Sequence, residues 1–380
     1  MDVKLIPPLA LKVIAFLFSE PALADKKQIW DALAIADSQL LAELRKSRLT
    51  PLIYAQLRQR NQHLQLPPAF LNEFQLDYAS ALKTAALQEQ EALQVFRALH
   101  VAGVAFILLK GADLRLRVYE DTAQRPMNDL DILIDQANLP QARKILASLD
   151  YTLFTNSVDP FPGYWEHFGH ELGFDPPQGG ILPIEVHWQI RAVNSLYHIP
   201  YRAVRHKTVS VDFQGLPTSV LDREHLLIHL CLHAFSHFHD DKLKSLPAYI
   251  LIDIGLTLRR LGVDWSVFLA IAEKFQCQAP IYFTLKEVAR LIPHDIPPAA
   301  LAELRSHQPG LAEKVALSLR LRFFTKTLAV TRHHPPREWL SFLRGNVWPN
   351  SEYLLANYGK PDRLAYWRQF LNKNLLLKNR

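Results

Sequence analysis

Two aspartates separated by one leucine constrain this chain more than any other feature of its sequence. Asp129-Leu130-Asp131 runs directly into Ile132-Leu133-Ile134, an aliphatic and β-branched run that is typical of a buried strand. Side chains alternate between the faces of a strand, so both carboxylates should project to one side, roughly 7 Å apart. Such a pair can hold hard divalent cations, as a two-metal site for phosphoryl transfer requires. The competing interpretation is a solvated strand end, but carboxylates within an apolar strand are costly unless paired or metal-bound.

A turn between a predicted strand and a predicted helix precedes the aspartate pair. The sequence predicts a strand over Val104 to Leu109 and a helix over Ala112 to Tyr119, with Lys110-Gly111 between them. Glycine permits close approach of the backbone, and a helix N-terminus presents free N–H groups to an anion. The lysine could neutralise a phosphate there, although an ordinary connecting turn explains the same residues. Arg125 could either clamp a phosphate or form a salt bridge with a carboxylate.

A third carboxylate would complete metal binding or deprotonate an attacking hydroxyl. Glu185 is the best candidate, because it lies between apolar neighbours on a further predicted strand that also places His187 on the same face. A structural ion pair is the alternative role for Glu185. Glu171 and Asp175 are weaker candidates, and we expect Asp135 to cap the turn that follows the aspartate pair.

The sequence around these motifs divides into helical flanks and a mixed centre. Apolar residues recur at helical spacing through residues 1–100 and again through residues 221–380. Residues 101–220 instead alternate strands with helices and include a hairpin at 209–219 that turns at Gln214-Gly215. We therefore expect an α+β, predominantly helical fold, with a small mixed β-sheet core between N- and C-terminal helical regions.

The order of these motifs resembles the bacterial family of uncharacterised nucleotidyltransferases, within the DNA polymerase β-like superfamily. The matching elements are an apolar strand, a Lys-Gly turn, a short helix ending near a tyrosine, an arginine, an Asp-apolar-Asp motif and an acid-apolar-His-Trp strand. Helical His and Asp positions and a C-terminal signature also match, so the resemblance spans most of the chain. The residues that carry it are Leu109-Lys110-Gly111, Tyr119, Arg125, Asp129-Leu130-Asp131, Glu185-Val186-His187-Trp188, Leu232-His233, His237, Asp253 and Pro349-Asn350-Ser351-Glu352-Tyr353-Leu354.

The resemblance implies an enzyme that transfers a nucleoside monophosphate from an NTP to an acceptor and releases pyrophosphate. It implies two Mg²⁺ ions as cofactors. The acceptor is not identified by the sequence, and a small molecule, a saccharide, a peptide or a protein would each fit. The expected catalytic and metal-binding residues are Asp129, Asp131 and Glu185, and the expected nucleotide-binding residues are Lys110, Gly111, Arg125 and His187.

Two departures from the superfamily pattern keep a second hypothesis open. The usual Gly-Ser turn is Gly111-Ala112 here, so one hydroxyl donor to phosphate is missing, and the distance from turn to aspartates is longer than usual. The second hypothesis is a catalytically inactive protein that retains the fold as a binding or scaffold module. Mg²⁺-dependent NTP binding that requires Asp129 would distinguish the two.

A ladder of histidines supports a third hypothesis, a metal-dependent phosphohydrolase. Histidines that recur every four residues share one face of a helix, and such spacing can bind zinc or iron. Phosphohydrolases of the His-Asp type need a further histidine from an upstream helix, however, and that partner is not evident. We therefore expect the ladder to line the core or the site. Its members are His225, His229, His233 and His237, followed by His239-Asp240.

Composition limits the binding partners that we expect for this chain and the cellular compartment in which we expect it. A net charge of +6 favours anionic partners such as nucleotides, but the chain lacks the long basic runs of a nucleic-acid binder, so no stable nucleic-acid partner is expected. Its two cysteines lack metal-type spacing and fit a reducing cytoplasm. The apolar stretch at residues 5–18 is too short to span a bilayer and is interrupted by Lys12, which favours a packed helix over a secretory signal. We expect a cytoplasmic protein with no membrane span.

Overall fold

Helices make up most of the secondary structure. The computed structural model describes residues 38–59, 67–154, 159–191, 197–239, 248–291, 295–307, 327, 330–331 and 335–374, and the apolar stretch at 5–18 lies outside them. The described helices are α1 (Ser38–Lys46), α2 (Thr50–Gln59), α3 (Pro68–Val101), α4 (Lys110–Arg117), α5 (Leu139–Ser148), α6 (Tyr164–Phe168), α7 (Tyr201–Val204), α8 (Arg223–His239), α9 (Ala248–Leu261), α10 (Trp265–Lys274), α11 (Gln278–Leu291), α12 (Pro298–Ser306), α13 (Pro336–Val347), α14 (Ser351–Tyr358) and α15 (Arg363–Asn374).

The strands are short and cluster in the middle of the sequence. They form a mixed sheet of seven strands and a separate pair made by β6 and β7. This arrangement confirms the predicted α+β, predominantly helical fold with a small mixed sheet. The strands are β1 (Phe106–Leu108), β2 (Leu130–Ile134), β3 (Thr152–Leu153), β4 (Glu171–Asp175), β5 (Ile184–His187), β6 (Gln189–Arg191), β7 (Ile199–Pro200), β8 (Thr208–Phe213) and β9 (Leu216–Leu221).

Two compact units share the chain, and neither is continuous in sequence. Each takes three segments, so the sequence passes repeatedly from one unit to the other. The first unit comprises Met1–Gln94, Leu108–Asn128 and Val209–His307, and the second comprises Val95–Ile107, Asp129–Thr208 and Gln308–Arg380.

The first unit contains a helical core around α8. Leu226, Leu227 and Leu230 of this helix are at most 2% exposed, and the helix packs against α9, α10 and α11. Asp222 caps its start, because the Asp222 Oδ1 atom accepts a hydrogen bond of 2.9 Å from the backbone N–H of His225. Burial of one apolar face against three neighbouring helices is what stabilises a helix of this length.

The first unit also contains the predicted hairpin, formed by β8 and β9. Gln214 and Gly215 connect the strands with φ values of 51° and 83°. Positive φ at both central residues is the requirement of a type I′ turn, whose twist matches that of the two strands. The structure therefore confirms the hairpin that the sequence predicted at Gln214-Gly215.

The second unit contains the pair β6–β7 and five strands of the larger sheet, in the order β3-β4-β5-β2-β1. β5 lies between a parallel neighbour, β2, and an antiparallel neighbour, β4. All five residues of β2 are buried, as the aliphatic run predicted. β2 begins at Leu130, one residue later than the predicted start at Asp129. The backbone N–H of Leu130 donates a hydrogen bond of 2.9 Å to the carbonyl of Pro183, just before β5.

The end of α3 and the start of α4 are the two boundaries that precede β2. Gly103 ends α3 with φ of +70°, and the backbone N–H of Val104 then reaches the Leu99 carbonyl at 2.9 Å, a left-handed helix end that glycine favours. Helix α4 begins at Lys110, not at Ala112, so the predicted Lys-Gly turn is the first turn of the helix itself.

Among the helices in the described ranges, none has both the length and the apolar character needed to cross a membrane.

Candidate functional site

The pairing of β2 with β5 brings two of the predicted carboxylates together. The strands run parallel with Asp131 opposite Glu185, so both side chains project to the same face of the sheet. Asp131 is 3% exposed and lies between apolar residues of β2, whereas the Glu185 side chain is 24% exposed. A carboxylate buried to this degree needs a partner or a cation to offset its lost hydration.

His187 is the immediate partner of Asp131. Its Nε2 atom lies 2.8 Å from Asp131 Oδ1 and 3.7 Å from Glu185 Oε2. The 2.8 Å separation is a hydrogen-bond distance, and an imidazole N–H at Nε2 would donate to the Asp131 carboxylate. One ligand atom from each of Asp131, Glu185 and His187 lies within 4.8 Å of the others, a separation that a single cation can bridge.

A second group of side chains meets His187 from the opposite side. β4 pairs with β5 in antiparallel register, with Glu171 opposite His187, and Glu171 Oε2 lies 3.1 Å from His187 Nδ1. The His170 Nε2 atom lies 3.1 Å from the same Glu171 oxygen. Burial of most of the His170 ring lowers its pKa, and the neighbouring Glu171 carboxylate opposes that shift.

Glycine and an aromatic ring form the next part of this face. Gly173 lies opposite Glu185 in the β4–β5 register. A Cβ atom at Gly173 would lie 2.1 Å from Cδ2 of Phe154, so the absent side chain leaves the room that the Phe154 ring fills. The carboxylate of Glu185 therefore has an apolar neighbour on the side of β4.

Asp129 and Asp135, which lie just before and just after β2, differ in surroundings. Asp129 is half-buried and lies directly before β2. Among the described residues, the groups of three potential metal ligands include Asp131 and Glu185 but not Asp129, whose role as a ligand stays a prediction. The Asp135 side chain accepts a hydrogen bond of 3.1 Å from the backbone N–H of Ala137, so the predicted capping role of Asp135 is confirmed.

Lys110 and Gly111 lie in the first unit, at the start of α4. Lys110 has φ of +45°, an uncommon conformation for a residue with a side chain. Leu109 precedes the helix in extended conformation and provides no side-chain cap to its first N–H groups. A Cβ atom at Gly111 would lie 2.8 Å from Cγ and Sδ of Met127, so glycine allows Met127 to pack directly on the helix backbone. Their contact with a nucleotide stays a prediction.

Arg125, also in the first unit, forms a salt bridge with Asp253. Its Nε atom lies 2.8 Å from Asp253 Oδ1 and its Nη2 atom 2.8 Å from Oδ2, while Nη1 donates to the Pro126 carbonyl at 2.7 Å. The Tyr119 hydroxyl donates to Asp253 Oδ1 at 2.6 Å, and burial beside that carboxylate raises the pKa of Tyr119 well above 10. Of the two roles that the sequence left open for Arg125, the observed contacts are those of the salt bridge. A phosphate contact by Arg125 stays a prediction.

The histidine ladder lies on α8, in the first unit. His225 Nδ1 lies 2.7 Å from Asp222 Oδ1, and the Nε2 atoms of His233 and His237 lie 3.2 Å apart. Within the described part of the chain, no group of three potential metal ligands includes these histidines, and Asp240 lies outside that part.

Two residues close to His187 are not among the leading candidates of the sequence. The sequence patterns do not include His170, and they make Glu171 only a weaker candidate. Glu171 reaches His187 through the β4–β5 register, which joins residues distant in sequence. The local signal was the dipeptide His170-Glu171 immediately before an apolar strand, a pattern too common to single out alone.

Comparison with known proteins gives one family and two solved structures. A family model described as "Uncharacterised nucleotidyltransferase" matches residues 34–293. Among curated proteins, none matches the chain. The solution structure of the antibiotic-resistance factor ANT(2'')-Ia is similar at 12% identity and a TM-score of 0.36, covering 55% of this chain and 97% of that one. The crystal structure of an antigenic nucleotidyltransferase-like protein from Paracoccidioides brasiliensis is similar at 14% identity and a TM-score of 0.33, covering 60% and 96%.

Proposed function

The chain belongs to the family of uncharacterised nucleotidyltransferases, and from this premise we propose that it transfers a nucleoside monophosphate from an NTP to an acceptor hydroxyl. The observation that carries the proposal is the juxtaposition of Asp131 and Glu185 on one face of adjacent parallel strands. Two carboxylates that meet there provide oxygen ligands of the kind that Mg²⁺ prefers.

The donor set fits the cofactor that this chemistry needs. Asp131 and Glu185 contribute carboxylate oxygens, and Asp129, one residue before β2, is proposed as the third carboxylate. Two Mg²⁺ ions bound by these carboxylates would neutralise the phosphates and lower the pKa of the acceptor hydroxyl. His187 would hold Asp131 in orientation through the 2.8 Å hydrogen bond to Oδ1.

The start of α4 is proposed to bind the triphosphate. The start of α4 carries the positive end of the helix dipole, and the Lys110 side chain would add a full positive charge. Gly111 would offer its backbone N–H to a phosphate oxygen, while Met127 fills the room left by its missing side chain. We assign Arg125 a smaller part, because Asp253 and Pro126 already accept hydrogen bonds from its three nitrogens.

The proposed reaction is an in-line displacement at the α-phosphorus of the NTP. The acceptor oxygen forms a bond to that phosphorus while the bond between the phosphorus and the oxygen leading to the β-phosphorus breaks. The electron pair of the broken bond leaves with pyrophosphate, and the proton of the acceptor hydroxyl passes to the Glu185 carboxylate. The 24% exposure of the Glu185 side chain leaves this carboxylate accessible to an acceptor.

The proposal is tested by isothermal titration of ATP, GTP, CTP and UTP in the presence of Mg²⁺. We expect one nucleotide to bind to the native protein and to lose its Mg²⁺-dependent binding in the Asp129→Asn/Asp131→Asn variant. Asp135→Asn is the matched control, since Asp135 lies just beyond the other end of β2 and asparagine can still cap the following turn.

The outcomes separate the enzyme from the scaffold hypothesis. Binding lost only in the Asp129→Asn/Asp131→Asn variant supports the nucleotidyltransferase, and release of pyrophosphate on addition of acceptor candidates then identifies the acceptor class. If no nucleotide binds in a Mg²⁺-dependent manner, or if the Asp129→Asn/Asp131→Asn variant binds as well as the native protein, the nucleotidyltransferase proposal is wrong.

A further inference from the structure

A second cluster with metal-binding geometry lies next to the carboxylate pair in the second unit. It consists of His170, Glu171 and His187, and one potential ligand atom from each of them lies within 4.8 Å of the other two. Glu171 Oε2 is central, at 3.1 Å from His170 Nε2 and at 3.1 Å from His187 Nδ1. The centroids of the His170 and His187 rings are 5.7 Å apart and the ring planes are inclined at 61°, so the two rings approach the Glu171 carboxylate from different directions.

We propose that His170, Glu171 and His187 form a binding site for a divalent transition-metal ion of the zinc class, separate from the Mg²⁺ site of the proposed function. Two imidazole nitrogens with one carboxylate oxygen are a borderline-soft donor set, which suits Zn²⁺ or Co²⁺ and discriminates against Mg²⁺. The inference does not depend on nucleotide transfer.

The position of His187 supplies the first argument. Its Nδ1 atom lies 3.1 Å from Glu171 Oε2, and its Nε2 atom lies 2.8 Å from Asp131 Oδ1. A metal ion bound at Nδ1 would also contact the Glu171 carboxylate, while Nε2 keeps its contact with Asp131.

The spacing of the ligand atoms supplies the second argument. A four-coordinate zinc ion with bonds of about 2.0–2.1 Å separates neighbouring ligand atoms by roughly 3.3 Å. The two nitrogen–oxygen distances of 3.1 Å are close to that value, and one ligand atom from each residue lies within 4.8 Å of the other two. Three protein ligands leave a fourth position for water or a substrate atom.

The surroundings of the cluster supply the third argument. Glu171 and His187 are opposite one another on adjacent strands, and the Trp188 N–H binds the His170 carbonyl at 2.9 Å, which fixes the backbone beside the third ligand. Asp131 then stands behind His187, in the carboxylate–histidine–metal arrangement that orients a ligand ring and increases its basicity. Asp131 therefore belongs to the surroundings of both sites, and His187 connects them.

Titration with Co²⁺ in excess Mg²⁺, followed by visible absorption, tests the site without any measurement of activity. The excess Mg²⁺ occupies oxygen-rich sites, and bound Co²⁺ reports its ligands through its ligand-field bands. We expect the native protein to bind one equivalent. The His170→Ala and Glu171→Gln variants each remove a direct ligand, so each should lose affinity by more than about 100-fold, whereas Asp131→Asn should weaken binding by about 10–100-fold.

His233→Ala is the matched control, because it removes a histidine of the α8 ladder and leaves the cluster intact. Loss of Co²⁺ binding in His233→Ala, or unchanged binding in His170→Ala, overturns the proposal, as does the absence of saturable binding to the native protein. If circular dichroism shows that the cluster variants do not fold, X-ray absorption of the native Co²⁺ complex decides: two imidazole ligands with His233→Ala unaffected support the site, and fewer than two reject it.

Discussion

Removal of the Asp253 carboxylate should destabilise the first unit strongly. Asp253 is 3% exposed and accepts two hydrogen bonds of 2.8 Å from Arg125 and one of 2.6 Å from Tyr119. Asp253→Ala leaves the Arg125 cation, whose side chain is 11% exposed, without its counter-charge. Loss of one partner of a buried ion pair costs about 3–5 kcal/mol, and we expect a loss in that range.

Hydrogen exchange of peptides from α4 and α9 measures this free energy within the first unit. A double-mutant cycle adds a sharper test, because Arg125→Met/Asp253→Leu removes both charges and should cost less than the sum of the two single changes, by about 2 kcal/mol or more. Asp295→Ala, which breaks a partly exposed pair with Arg259 in the same unit, should cost less than about 1 kcal/mol. A loss of under about 1 kcal/mol for Asp253→Ala, or additive single changes, would refute the reasoning.

Three further outcomes follow from contacts elsewhere. Gly173→Ala places a Cβ atom 2.1 Å from the Phe154 ring and should lower the free energy of unfolding, measured in urea, by about 1–3 kcal/mol. Adding Phe154→Leu should recover part of that loss. If it recovers none, the Phe154 ring is not the obstacle. Gly215→Ala forces a side chain to φ of 83° and should cost roughly 1–2 kcal/mol in the same assay, whereas an unchanged midpoint would contradict the turn geometry. Burial raises the pKa of Cys277 to about 12 and that of Cys231 well above its usual range, so neither thiol should react with a disulfide reagent at pH 8 until the chain is unfolded. Because the folded thiols hold their protons above the pH at which unfolded ones ionise, this contribution to stability is complete below about pH 8.5 and declines as pH rises towards 12.

The salt bridge of Arg125 with Asp253 shows why the sequence alone left the role of Arg125 open. Guanidinium groups bind phosphates and carboxylates with the same geometry, so an isolated arginine predicts either partner. Asp253, the carboxylate that Arg125 contacts in the structure, is far away in sequence and lies on α9 within the first unit. The resemblance had marked both residues without indicating that they form a pair.

The two compact units of the chain are not continuous in sequence, unlike the regions that the sequence predicted. Composition and periodicity predicted three consecutive regions, 1–100, 101–220 and 221–380, and that division stays a prediction. The two compact units each draw on three separate segments, an arrangement that depends on long-range contacts. Local patterns describe neighbours along the chain and carry no information about which distant segments pack together.

What the sequence determined by itself is the chemistry available on one strand. The period of two in a β-strand fixes which side chains share a face, so Glu185 and His187 were predicted to lie together from spacing alone. The cap at Asp135 and the hairpin at Gln214-Gly215 follow from equally local rules.

The tertiary structure alone decided which strands lie side by side. The registers of β5 with β2 and with β4 place Asp131 and Glu171 on opposite sides of the His187 ring, which determines the partner of each nitrogen. Strand pairing is a contact between segments remote in sequence, set by the burial of whole faces and not by any single residue. For that reason the sequence could predict that Asp129 and Asp131 share one face of a strand, whereas the approach of Glu171 to His187 depends on the tertiary structure.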